Sequence, residues 1–246
     1  TVQISKKTNV EVAGLTIVPG MFFINDVVVR DNNGTSEVYV AAGSRKWDRI
    51  LGTRGNDKIR IEEAKMAAKV IGAEFRINLG LRDGFISSDE ESSIKVVEQI
   101  RKHQPKIIIT NSRKDRHPDH EAASRLVKKA CFLSGLVKIE TNFNGKNQGT
   151  WRPSSILYSI QSKYIEPDFV IDITKFYDKK IEAINCFKSQ FYDPNSKEPK
   201  SFISSKEFMD FIDARAIEMG HSIGSIYGEG FTSENKVQIN SLNNII

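Results

Sequence analysis

A chain of 246 residues, 39% apolar and 27% charged, has an ordinary globular composition and is long enough for one well-cored α/β domain. Its most apolar stretch, residues 10–30, is interrupted by Pro19, Gly20, Asn25 and Asp26 and lacks the basic start and cleavage site of a secretory signal, which argues against a membrane span. The net charge of +5 is dispersed among acidic residues and suits a small anionic substrate better than nucleic acid, which needs a clustered basic face.

In chain order, Ile61, Ala64, Ala68 and Ile71 recur at helical intervals, and Gly72 supplies a stop, so a helix is expected over 58–72. Glu62 and Glu63 on that helix read as a solvated face. Residues 73–85 suit a strand followed by a glycine-broken loop. Ser88 with Glu91 forms a capping box for a helix through His103, where a cationic imidazole would favour the helix dipole; Pro105 ends it. The run "KIIITN" (106–111) is continuously apolar between turn formers, as in a strand covered on both faces.

A third helix should bury Ala123, Leu126, Val127, Ala130 and Cys131. Strands are expected at 154–160 and 167–173, then a helix over about 175–189 and a loop through "KSQFYDPNSKEP". Ser204 with Glu207 caps a last helix to Met219, stopped by Gly220. Cys131 and Cys186 fall in helical patterns beside apolar residues and read as buried free thiols in a reducing cytoplasm. Strands alternating with helices imply a Rossmann-like, doubly wound α/β fold, its sheet mostly parallel with helices on both faces.

The stretch "RKDRHPDHEAAS" (113–124) follows the 106–111 strand, at the edge where such sheets bind ligands. Pro118 fits a first helical turn and Asp119 meets the positive end of the dipole. His120 would point back toward the strand ends, with His117 one step before the helix. Two readings stay open on these residues: a polar helix cap with solvated histidines, or half of a metal site. Catalytic zinc takes about three protein ligands, more than one loop can give.

Seven stretches resemble the PIG-L/LmbE family of zinc-dependent N-acetylglucosaminide deacetylases: "LGTRG" (51–55), "NLGLRDGF" (78–85), "DRHPDH" (115–120), "WRPSSILYSIQ" (151–161), "KSQFYDP" (188–194), "ISSKEF" (203–208) and "YGEGF" (227–231). They resemble most the branch acting on N-acetylglucosaminyl-malate in bacillithiol biosynthesis. The resemblance implies a cytoplasmic hydrolase of a linear amide C–N bond, with Zn2+ as cofactor and a small amino-sugar conjugate as partner, with no nucleic acid or membrane, and is compatible with a homo-oligomer. It implies His120 as a zinc ligand and His117 as the group that stabilises the oxyanion or protonates the leaving amine. Asp119 would orient an imidazole, while Arg54 and Asp83 would hold the substrate, Arg54 by a bidentate grip on a malate carboxylate.

The family's other metal half, an Ala-His-Pro-Asp-Asp motif on its first strand, has no counterpart here, because no histidine precedes His103. Residues 1–50 are the atypical part of an otherwise single deacetylase-like domain spanning 1–246. Their nearest echo, "FINDVVV" (23–29), would leave Asp26 as a ligand. Divergence, a frameshifted or chimeric gene and a replaced segment all fit that pattern. The alternative to an active enzyme is therefore an inactive relative that still binds an anionic sugar ligand or partner through the Arg54–Asp83–His117 pocket.

Overall fold

In the computed structural model the backbone is described for residues 2–5, 8–10, 26–32, 35–40, 54–73 and 75–239, and side chains for 54–56, 58–73 and 76–239. A short hairpin of β1 (Val2–Ser5) and β2 (Thr8–Val10) stands apart from the main sheet. Then come β3 (Asp26–Asn32), β4 (Thr35–Val40), α1 (Asp57–Val70), β5 (Phe75–Asn78), α2 (Glu90–His103), β6 (Ile107–Thr110) and α3 (Pro118–Ser134). After a small hairpin, β7 (Asn142–Phe143) and β8 (Lys146–Asn147), follow β9 (Ser155–Ser159), β10 (Phe169–Asp172), α4 (Tyr177–Asn185), α5 (Lys206–His221) and β11 (Gly228–Ser233).

The fold is mixed α/β. Among the described residues, seven strands form one sheet in the order β10-β11-β9-β6-β4-β3-β5. The expected mostly parallel pairing is not what forms: only β4–β6 and β6–β9 are parallel ladders, and the other four are antiparallel. Asn32 pairs with Thr35, so only Asn33 and Gly34 separate β3 from β4. A two-residue link permits only antiparallel pairing, since a parallel return needs a long crossover. Strand β11 likewise runs against both neighbours. The ladders together orient β10, β9, β6, β4 and β5 one way, and only β3 and β11 the other.

The carboxyl ends of those five strands therefore share one edge. Asp26, which opens β3, pairs there with Asn78 at the end of β5; its side chain lies outside the described residues.

Strand β6 is covered on both faces because its apolar run has no polar side. Ile108 packs with Val96, Val97 and Ile100 of α2 and Ala123, Leu126, Val127, Ala130 and Cys131 of α3. Ile107 and Ile109 face the other way, toward Leu157, Phe169 and Phe231. A further core joins α1, α4 and α5 through Ala64, Ala67, Ile184, Phe208 and Ile212.

Helix ends depart from the sequence reading by small shifts. Asp89, not Ser88, caps α2, its carboxylate accepting from the Ser92 amide at 2.7 Å. Ser205, not Ser204, caps α5, which runs through Gly220 to His221. Helix α4 is shorter than expected, preceded by a 3-10 turn at Thr174–Phe176. Glu63 is buried rather than solvated: its carboxylate accepts from the Ser189 amide and hydroxyl, both at 2.7 Å. His103 is half-buried, and that burial, helped by Lys102, pushes its pKa down to about 4, so the imidazole at the end of α2 is neutral rather than cationic. Cys131 is buried and Cys186 half-buried, both as free thiols. Among the described residues, no helix is long and apolar enough to cross a membrane.

Candidate active site at the carboxyl edge of the sheet

Beyond Thr110 the chain leaves β6, loops through Asn111–Arg116 and enters α3 at Pro118. His117 is extended (φ −85°, ψ 123°) and caps the helix, its Nδ1 accepting from the Asp119 amide at 3.2 Å. Pro118 follows without loss, since the first helical N–H has no partner inside the helix. One turn in, His120 is buried beneath His117, their rings stacked at 5.1 Å.

His120 is oriented by Asp115. Its Nδ1 bonds Asp115 Oδ2, while Asp115 Oδ1 accepts from the amides of Ser162 (2.9 Å) and Lys163 (3.0 Å) at the exit of β9. Burial alone would raise the Asp115 pKa, but the bond and charge of His120 and the backbone amides outweigh it and hold the carboxyl below its ordinary value. Arg215 of α5 steadies the same exit, donating to the carbonyls of Gln161 (2.6 Å) and Ser162 (3.4 Å). With Nδ1–H donated to a carboxylate, Nε2 is the ring nitrogen placed to bind a metal.

His117 carries the opposite tautomer. Its Nδ1 takes the Asp119 N–H, so the proton of the neutral ring is on Nε2, which is a donor. Burial and the neighbouring His120 hold its pKa below the ordinary imidazole value, against the carboxylates of Asp119 and Asp83.

The other expected residues divide. Asp119 accepts from the amides of Gly84 (2.5 Å) and Ile86 (3.5 Å), so it ties the loop after β5 to α3, while Asp115 is the carboxylate on an imidazole. Gly84 turns there at φ 74°, a backbone that favours glycine. Asp83 lies beside it, close enough to His117 to act on its charge.

Arg54 serves a different place. Buried, it donates to the carbonyls of Ser189 (2.9 Å), Glu198 (3.2 Å) and Pro199 (2.6 Å) and to Ser196 Oγ (2.9 Å), clamping the loop after α4. The structure thus gathers His117, His120, Asp119 and Asp83 and gives Arg54 a loop to hold. Asp115 and Arg215 were missed. Asp115 opens the "DRHPDH" motif itself, five residues before His120, so its signal was present; Arg215 carries no sequence signal.

In kind, the donors suit zinc, because a carboxylate-backed imidazole is a common ligand arrangement. In number they fall short. Among the described residues, no group of three or more His, Cys, Asp or Glu side chains could hold a metal ion.

The model of the PIG-L family, described as GlcNAc-PI de-N-acetylase, matches residues 7–131, just over half of the chain. The chain belongs to the PIG-L family. The match starts well before Leu51, where the motif resemblance begins, so it takes in much of the segment read as atypical.

The chain is 26% identical over 136 residues to a diacetylchitobiose deacetylase of Thermococcus kodakarensis, covering 54% of this chain and 49% of that one. It is 28% identical over 134 residues to a 4-oxalmesaconate hydratase of Pseudomonas putida, covering 53% and 50%. The chain thus spans about half the length of the curated relatives it matches. A crystal structure of a conserved protein from Thermus thermophilus superposes with a TM-score of 0.68 at 27% identity, over 80% of this chain and 83% of that one.

Proposed function

We propose that the chain is an N-deacetylase, one deacetylase-like domain that hydrolyses the N-acetyl group of an N-acetylglucosamine conjugate. N-acetylglucosaminyl-malate is the substrate suggested by the motif resemblance. The observation that carries the reading is the buried Asp115–His120 pair stacked under His117 at the first turn of α3. Amide hydrolysis adds water to the carbonyl carbon, places negative charge on its oxygen, then breaks the C–N bond as the nitrogen gains a proton. The Nε2–H of neutral His117, beside the positive end of α3, suits stabilising that oxygen, while the proton the nitrogen gains is the one the added water gives up. Asp83, on the adjoining loop, suits a sugar hydroxyl. The two free thiols support a cytoplasmic setting.

Zinc is the ion the family resemblance implies, and the described residues offer it one ligand, His120. The test is therefore metal content of the purified chain together with amine release from N-acetylglucosaminyl-malate. About one zinc per chain, lost in His120→Ala along with amine release, supports the deacetylase reading.

A second reading has its own support. With no histidine before His103 and no three-ligand group among the described residues, the chain fits an inactive relative that binds an anionic sugar ligand or a partner. Ligand binding with no zinc and no amine release would favour that reading.

A further inference from the structure

One residue past β6, Asn111 is buried, and its side chain has only one way to sit. Gln161 Oε1 accepts from the backbone N–H of Ser112 at 3.2 Å, and a backbone donor cannot be exchanged for an acceptor. Oε1 therefore faces this corner, and only the NH2 end of Asn111 can approach it, which it does at 3.3 Å. The Asn111 carbonyl oxygen is thereby turned away, buried and with no donor among the described residues. The preceding residue repeats the pattern, because the Thr110 hydroxyl oxygen is also buried with no partner among them. Buried acceptors lacking a donor cost about 1–3 kcal/mol each, so two in succession call for an explanation.

Their place supplies one. Thr110 and Asn111 lie at the carboxyl end of β6, Gln161 just beyond β9, its parallel neighbour. The amides of Ser162 and Lys163, next to Gln161, hold Asp115, which holds His120. The two oxygens thus belong to the wall that orients the candidate catalytic imidazoles. We propose that Asn111 Oδ1 is a substrate-binding acceptor, receiving a hydrogen bond from a neutral donor, a hydroxyl or the acetamido N–H of the amino sugar. A carbonyl oxygen repels a carboxylate, so this contact reads the sugar and not any acidic group attached to it. Gln161 is the positioning residue that fixes the acceptor's direction. This inference rests on the amino-sugar reading of the site.

The test uses the full chain and N-acetylglucosamine, with its N-methylacetamide and monodeoxy analogues, titrated by protein NMR. Asn111→Ala leaves Gln161 its bond from Ser112. It should weaken N-acetylglucosamine binding about three- to tenfold, the loss of one hydrogen bond, with little change in Tm. One analogue should show the same loss on the native chain and no further loss on Asn111→Ala, identifying the donor. If Asn111→Ala binds the sugar as tightly as the native chain, or every analogue loses equally on both proteins, the assignment is overturned. If the native chain binds no N-acetylglucosamine at all, the amino-sugar reading fails first and takes this contact with it. Asn111→Ser, which restores a shorter acceptor, guards against a folding artefact: partial recovery of affinity supports the assignment.

Discussion

His120 Nδ1 and the Asp115 carboxylate are hydrogen-bonded in a buried pair, and the amides of Ser162 and Lys163 hold the carboxylate's other oxygen. Three groups from two strand exits thus fix one imidazole of α3. Asp115→Asn keeps the shape but cannot accept at both ends without turning an NH2 toward His120 or toward the two amides. Amine release should fall by about 10–100-fold, the usual effect of losing a carboxylate behind a functional imidazole. Asp119→Asn, by contrast, should loosen the 84–86 loop and leave the His120 ring in place. Steady-state kinetics, with histidine NMR to read the His120 tautomer, separates the two.

Arg54 distinguishes a substrate contact from a structural clamp. Its guanidinium donates to three carbonyls and a hydroxyl in the 189–199 loop, and Glu63 holds Ser189 from the other side. Lysine cannot reproduce that fork. Arg54→Lys should cost about 2 kcal/mol of stability and open the loop to protease, because buried carbonyls lose their donors. Thermal denaturation and limited proteolysis read this directly. An unchanged Tm with a raised KM would return Arg54 to the substrate.

Arg101 plays a comparable part at the far end of α3. Its guanidinium donates to the carbonyls of Ser134 (3.0 Å), Leu136 (2.8 Å) and Ile139 (2.6 Å) and to Thr141 Oγ1 (2.9 Å). These include carbonyls a helix end leaves without partners. Arg101→Met should destabilise the fold by about 2–3 kcal/mol in urea denaturation, while leaving amine release per folded molecule unchanged.

His103 predicts a pH dependence. In the folded chain its pKa is pushed down to about 4 by burial and Lys102, from an ordinary 6.5. Between those values the unfolded chain takes up a proton that the folded chain does not. Stability contributed by the neutral ring is therefore full above pH 6.5 and is lost as pH falls toward 4. His103→Gln should flatten the slope of unfolding free energy against pH in that window. An unchanged slope would assign it to other groups.

Much of this was legible along the chain, where neighbours in sequence decide the outcome. The continuous run Ile107–Ile109 announced a strand covered on both faces, and Ala123 through Cys131 a buried helix face. Pro118 after His117 marked the first turn of α3. What escaped was set by distant partners. Glu63 reads as solvated until Ser189, 126 residues away, offers its amide. Arg54 reads as a ligand contact until the loop 135 to 145 residues on takes its donors. Strand direction was misjudged because periodicity tells which residues are strand and not which way their neighbours run. The Asn33–Gly34 link that reverses β3 against β4 is a local signal that the helix-strand alternation hid. Asp115 stood in plain view within the motif, but its role needed the amides beyond β9.

The central claim is that His120 and His117 serve amide hydrolysis on an amino-sugar conjugate. Amine release from N-acetylglucosaminyl-malate, measured on the purified zinc-supplemented chain beside its His120→Ala variant, tests this most directly. The account predicts steady turnover by the native chain and its loss in the variant. No amine from the native chain, or equal release from both proteins, would contradict it.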